Sequence, residues 1–189
     1  MPKKINKIIA ILIILVAIIV FACIYVFNKA PIDENKLYSK QFNKTFLKFE
    51  RYDYVLGQNM IVGVEKSTDK EKTYTKVTKE PIVVSNEAKF MFLTERLAFI
   101  ISTNNLQKNN NYKGFKVTTD GGKTFSDAQI NYENDDIEIL TIEDFPYYEN
   151  STLKLKCSIY TINKNKDGYE NIELLFESKN DGLSWNLSK

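Results

Sequence analysis

One eight-residue pattern, present twice at a fixed offset, restricts the possible folds of this chain more than any other feature of it. Thr118-Thr119-Asp120-Gly121-Gly122-Lys123-Thr124-Phe125 and Ser178-Lys179-Asn180-Asp181-Gly182-Leu183-Ser184-Trp185 lie 60 residues apart and both read hydroxyl, any, Asp or Asn, any, Gly, any, hydroxyl, aromatic. A weaker copy, Ser67-Thr68-Asp69-Lys70-Glu71-Lys72-Thr73-Tyr74, lies 51 residues before the first and carries Glu71 where the others have glycine. The physics of such an octet is local: the Asp or Asn side chain accepts N–H groups within a turn, the glycine takes φ > 0, and the aromatic returns to a core as the next strand starts. Recurrence at this period predicts stacked structural units.

The segments around the octets read as strands. Met60–Val64, Pro81–Val84, Lys89–Leu93, Leu97–Ile101, Leu153–Tyr160 and Ile172–Phe176 are short β-branched or aromatic runs between polar turns. No sustained helical periodicity follows residue 45, so the expected class is all-β. Pro31–Lys40 is polar and is read as a spacer containing one helical turn or two. The predicted organisation is a basic tail at 1–7, an apolar helix at 8–27, a spacer at 28–44 and a β domain at 45–189.

Ile8–Phe27 is a run of 20 uncharged, proline-free residues, long enough as a helix to cross a hydrocarbon layer of about 30 Å. Lys3, Lys4 and Lys7 precede it, which predicts an N-terminus in the cytoplasm and export of everything after Asn28. The run exceeds an ordinary signal-peptide core and no small-x-small site ends it, which favours a retained anchor over a cleaved leader. Val20-Phe21-Ala22-Cys23 has the outline of a lipoprotein box, but bulky Phe21 and the apolar residues after Cys23 argue against lipidation. The richness in Lys, Asn and Ile is that of an AT-rich bacterial genome. The expected location is therefore a bacterial cytoplasmic membrane, single-pass, with the β domain in the periplasm or outside the cell.

Composition removes several chemistries. There is no histidine, which excludes Ser-His-Asp and Cys-His catalysis and imidazole metal ligands. Cys23 and Cys157 are too few for a structural zinc site, and only Cys157 lies in the exported part. Residues 1–29 hold four lysines and no acids, leaving 22 basic and 24 acidic residues, a net of 22 − 24 = −2, in the remainder. That balance speaks against nucleic-acid binding, which needs a basic face. Asn163 to Gly168 has the start of an EF-hand loop but Leu174 at its twelfth position, so it reads as a hairpin turn. Gly122-Lys123-Thr124 lacks the first glycine of a P-loop, and Ser67-x-x-Lys70 lacks its β-lactamase companions. Asp135, Asp136, Glu138, Glu143 and Asp144 alternate with Ile137, Ile139 and Ile142, the pattern of a strand's solvent side. The alternation favours that solvent-side reading over paired carboxylates for glycoside cleavage or a cation site.

The octets resemble the Asp-box, or BNR repeat, of the sialidase-like β-propellers, whose pattern is Ser/Thr-x-Asp-x-Gly-x-Thr-Trp/Phe between the third and fourth strands of a blade. The copy at Thr118 fits every specified position; that at Ser178 departs at Asn180 and Ser184, and that at Ser67 departs at Glu71 and Tyr74. The resemblance spans about residues 45–189 and implies about three four-stranded antiparallel blade-like units. These would form a partial propeller or an open curved sheet or sandwich, fewer than the roughly four to eight blades of closed propellers. It also implies that Asp69, Asp120 and Asn180 are turn devices rather than site residues. Sialidases hold the substrate carboxylate with three arginines, and this chain has only Arg51 and Arg96. It lacks the Phe/Tyr-Arg-Ile-Pro signature as well, so the resemblance does not extend to sialidase activity.

Two functional classes remain. One is a non-catalytic, membrane-anchored, extracytoplasmic protein-binding or inhibitory module, such as an immunity protein neutralising a secreted antibacterial toxin. The other is a cell-envelope carbohydrate-binding protein or a carboxylate-dependent glycosidase. The first is favoured, with no catalytic, cofactor or metal residues expected. Phe145-Pro146-Tyr147-Tyr148 places aromatics in a connection that would ordinarily be polar, and Tyr147 and Tyr148 are the candidate protein-binding residues. An incomplete set of units leaves strand edges open to a partner protein or a second copy of the chain.

Overall fold

The computed structural model describes residues 35–55, 58–107, 113–132, 139–163 and 168–188, with backbone alone at 160–163 and 168–169. The chain divides into Met1–Glu34 and Asn35–Lys189, and the description concerns the second unit. The basic tail, the apolar run Ile8–Phe27, the Val20–Cys23 box and the acids Asp135, Asp136 and Glu138 lie outside the described residues. Among the described residues all regular elements are strands, so the expected class is observed.

The first sheet runs β1 (Lys36–Phe42), β2 (Thr45–Val55), β3 (Asn59–Ser67) and β4 (Thr75–Lys76), with β5 (Ile82–Ser85) also on β3. The second sheet comprises β6 (Lys89–Phe92), β7 (Ala98–Ile101), β9 (Phe115–Thr118) and β10 (Ser126–Asp127). Between β7 and β9, β8 (Asn105–Gln107) leaves to join the third sheet. That sheet is completed by β11 (Gln129–Asn131), β12 (Ile139–Ile142), β13 (Tyr147–Glu149), β14 (Thr152–Asn163), β15 (Gly168–Ser178) and β16 (Ser184–Leu187). All pairings are antiparallel except β11 with β16, where Ile130 faces Trp185 in a parallel register. Register shifts in β1 and β2 add twist, and the sheets are curled.

The strand onset at Lys36 corrects the expectation of a spacer through residue 44. The backbone of β1 pairs with β2 from Lys36 to Phe42. Leu37, Tyr38 and Phe42 pack on the first core, while Ser39 and Gln41 are exposed. Pairing with an alternating partner, Leu47-Lys48-Phe49-Glu50, makes a strand of a segment too polar to read as one.

The second sheet lies between the other two because it is apolar on both faces. β7 is buried at all four residues: Ala98 and Ile100 join Leu47, Phe49, Val62 and Val64 of the first sheet in one core. Phe99 and Ile101 join Leu140, Leu155, Phe176 and Trp185 of the third sheet in another. An uninterrupted apolar run is what a doubly covered strand requires. The outward faces of the first and third sheets are polar instead. Lys48 lies opposite Glu65 and reaches Glu50 Oε2 at 2.8 Å and Glu65 Oε2 at 3.5 Å, under the Tyr74 ring. On the third sheet Lys154 meets Glu177 at 3.1 Å.

Close backbone approaches join the sheets. The Thr78 hydroxyl donates to the Gly122 carbonyl at 2.8 Å and accepts the Val64 N–H at 2.6 Å. A Cβ on Gly122 would lie 2.7 Å from Val64 Cβ, and one on Gly182 would lie 2.7 Å from Phe99 Cε1. Each of these glycines is the fifth residue of an octet and presses on the sheet before its own. Glu71, at the same position of the first octet, has no earlier sheet to meet among the described residues and is exposed.

Candidate functional site

The three octets fold into one turn. The first hydroxyl accepts the N–H of the fifth residue, Glu71 to Ser67 at 3.1 Å, Gly122 to Thr118 at 3.0 Å and Gly182 to Ser178 at 2.9 Å. The Oδ1 of the third residue accepts the N–H of the seventh, Thr73 to Asp69 at 3.0 Å, Thr124 to Asp120 at 3.1 Å and Ser184 to Asn180 at 2.9 Å. Thr73 and Thr124 also donate their hydroxyls to the carboxylates at 2.6 and 2.7 Å, whereas Asn180 Nδ2 donates to Ser184 Oγ at 2.9 Å. The fourth and fifth residues all have positive φ: Lys70 and Glu71, Gly121 and Gly122, Asp181 and Gly182. The left-handed fourth position escapes the sequence pattern because Lys70 and Asp181 are not glycine. The Thr73 hydroxyl and N–H, then Ser67, hold the Asp69 carboxyl below its ordinary range. Burial pushes Asp120 up, but the bonds from Thr124, Thr118 and Lys123 outweigh it and the carboxyl is lowered. The acceptor oxygens of these residues are occupied by their own turns, which leaves them structural.

The phenol of Tyr52, on the outer face of the first sheet, is likewise inert near neutrality. Tyr52 is pushed up to about 12 by burial, then by Glu65 and Glu50, with Lys48 opposing. Its ring lies under Lys76 Nζ at 4.6 Å. In the third sheet the Ser158 hydroxyl donates to Glu143, but Ser158 is fully buried and meets no solvent-borne substrate. Next to it Cys157 is pushed up to about 12, by burial first and by Glu143 second, and stays a thiol. Asp144 accepts the N–H of Phe145 at 2.7 Å. Among the described residues no three of Asp, Glu and Cys converge as metal ligands.

The two candidate tyrosines occupy β13, which pairs with β14 through Tyr147 opposite Lys154 and Tyr148 opposite Leu153. Successive residues of a strand face opposite ways, so the structure does not bring the two rings onto one face. Tyr147 is half-buried on the polar outer face with Lys156 Nζ 5.8 Å from its ring centre, while Tyr148 is 47% exposed. Phe145 packs on the core and Pro146 is buried. Among the described strands β13 pairs with β14 alone, and Tyr148 and Glu149 on it are exposed.

Sequence reasoning did not find the cleft of about 370 Å³ between the first and second sheets. Lys79, Glu80 and Val83 line one wall, and Lys116, Lys123 and Phe125 the other. The walls are joined where the Lys79 N–H donates to the Lys123 carbonyl at 3.0 Å. Its lysines come from three separate segments that only the packing of two sheets brings together. Comparison of the chain with protein-family models finds no match, and comparison with curated proteins finds no similar protein.

Proposed function

We propose that this chain is a non-catalytic, membrane-anchored, extracytoplasmic module that binds another protein, in the manner of an immunity protein neutralising a secreted toxin. The observation that carries this reading is β13, paired among the described strands with β14 alone, with Tyr148 standing half out of the surface. A ring with a large apolar area and a polar tip, on a backbone edge able to pair, is suited to protein recognition. The common turn of the three octets, which joins β3 to β4, β9 to β10 and β15 to β16, supports a short Asp-box array of three blade-like units. The 20-residue apolar run behind three lysines supports the anchor and its orientation.

The test is photocrosslinking of the full chain in its native membrane, with a benzophenone side chain at Tyr148. One adduct of defined mass, absent when the probe sits at Lys179, supports the reading. No adduct, or the same adducts from both positions, rejects it. Protease added outside spheroplasts should digest the β domain; protection would reverse the orientation.

A further inference from the structure

The cleft between the first two sheets has the charge and the backbone of a peptide site, and we infer that it binds an extended acidic segment of another protein. Three lysines converge there in an exported part whose net charge is −2. Lys116 is paired with Asp127 at 2.6 Å. Lys79 and Lys123 are exposed and make no ion pair among the described residues. Glu80 is the one acidic residue in the lining. The cleft thus presents an excess of positive charge around a partly apolar floor, which includes Val83, 54% exposed, and half-buried Phe125. Carboxylates alternating with apolar side chains match both elements.

The backbone selects a peptide over another polyanion. Among the described strands β5 pairs with β3 alone. The Asn86 N–H donates to Gln58 on the β3 side, while the Ser85 N–H turns away to the Ser102 hydroxyl at 3.0 Å. The period of two therefore turns the N–H and C=O of Val83 to the same outer edge, beside the lysines. Pro81, next in that series, has no N–H, so the edge offers a short stretch of pairing and no template for a long sheet. An incoming strand would pair at Val83 and set its carboxylates against Lys79 and Lys123. This site is separate from the β13 surface and goes beyond the reading above.

The test is fluorescence anisotropy with a labelled peptide of alternating glutamate and valine, added to the full chain in detergent. Binding should weaken at least about tenfold on Lys79→Glu with Lys123→Glu, and stay within about twofold for Lys179→Glu on the third octet. The same peptide methylated on alternate backbone nitrogens should bind at least about tenfold more weakly to the unchanged protein, because it cannot pair with the edge. Equal affinity of the methylated peptide, or equal competition by polyphosphate of matched charge, would overturn the inference in favour of a general polyanion site. Absence of binding, or no effect of the lysine pair, overturns it outright. Loss of the Tyr148 crosslink with peptide binding intact would sink only the β13 reading.

Discussion

A methyl group at Gly122 should cost far more than one at the residue before it. Both glycines have positive φ, 78° at Gly121 and 89° at Gly122, so either alanine carries a left-handed backbone penalty of about 1–2 kcal/mol. A Cβ on Gly121 meets only the Glu95 carbonyl at 3.3 Å, whereas one on Gly122 meets Val64 side-chain carbons at 2.7–2.8 Å. Forcing a methylene-sized group into a packed core adds about 1–3 kcal/mol. The expected losses are therefore about 1–2 kcal/mol for Gly121→Ala and about 2–5 kcal/mol for Gly122→Ala. Against a typical total of about 5–15 kcal/mol, the second is a large fraction. Urea unfolding followed by the fluorescence of Trp185, the one tryptophan, measures both on one scale. If Gly122→Ala is no worse than Gly121→Ala, the claim that octets press on the preceding sheet is wrong.

Four further outcomes are expected. Trp185→Ala should lose about 3–5 kcal/mol, because the ring is fully buried between Phe99 and Phe115 and donates Nε1–H to Gly182 O at 2.9 Å; a loss under about 1 kcal/mol in urea unfolding followed by far-ultraviolet circular dichroism would place the ring outside the core. Lys70→Gly should raise stability by about 0.5–1 kcal/mol, since Lys70 is exposed at φ 61° and glycine relieves that backbone; a lower urea midpoint would contradict it. Asp69 and Asp120 bind protons less tightly folded than unfolded, so their contribution is complete above the unfolded pKa of about 4 and is lost as pH falls below it. Asp120→Asn should keep the turn, as Asn180 does in the third octet, and flatten that acid loss; an unchanged pH profile of the urea midpoint would count against the linkage. Cys157 should resist thiol reagents at mildly alkaline pH until the domain unfolds, which a dye-labelling time course with and without urea would show.

The strands legible in the sequence were those whose pattern is set by burial alone. Leu97–Ile101 and Leu153–Tyr160 read as strands because each is continuous or strictly alternating in apolar character. β1 was not legible, since Lys36-Leu37-Tyr38-Ser39-Lys40 becomes a strand only against β2. The departure of β8 to the third sheet and the parallel pairing of β11 with β16 are long-range choices that leave no local trace. The Asp or Asn acceptance of turn N–H groups and the positive φ of the glycines were legible, since those features lie within four residues of each other, whereas the bond from the fifth N–H to the first hydroxyl and the left-handed fourth position were not. Tyr148 was visible as an aromatic in a polar connection, but Lys79, Lys116 and Lys123 stand 7 to 44 positions apart and meet only through the packing of two sheets.

The odd octet residue, Glu71, governs what could pack on the first sheet at its turn. Where the second and third octets keep a hydrogen atom for side chain, so that the preceding sheet can close in, the first carries a long charged side chain held by Lys36 at 3.6 Å, which a sheet approaching that closely would have to displace. On the third sheet, Lys154 and Glu177 give the outward face an ion pair of the same kind. A sheet meant to pack on that turn as the first sheet packs on Gly122 would thus first require Glu71→Gly.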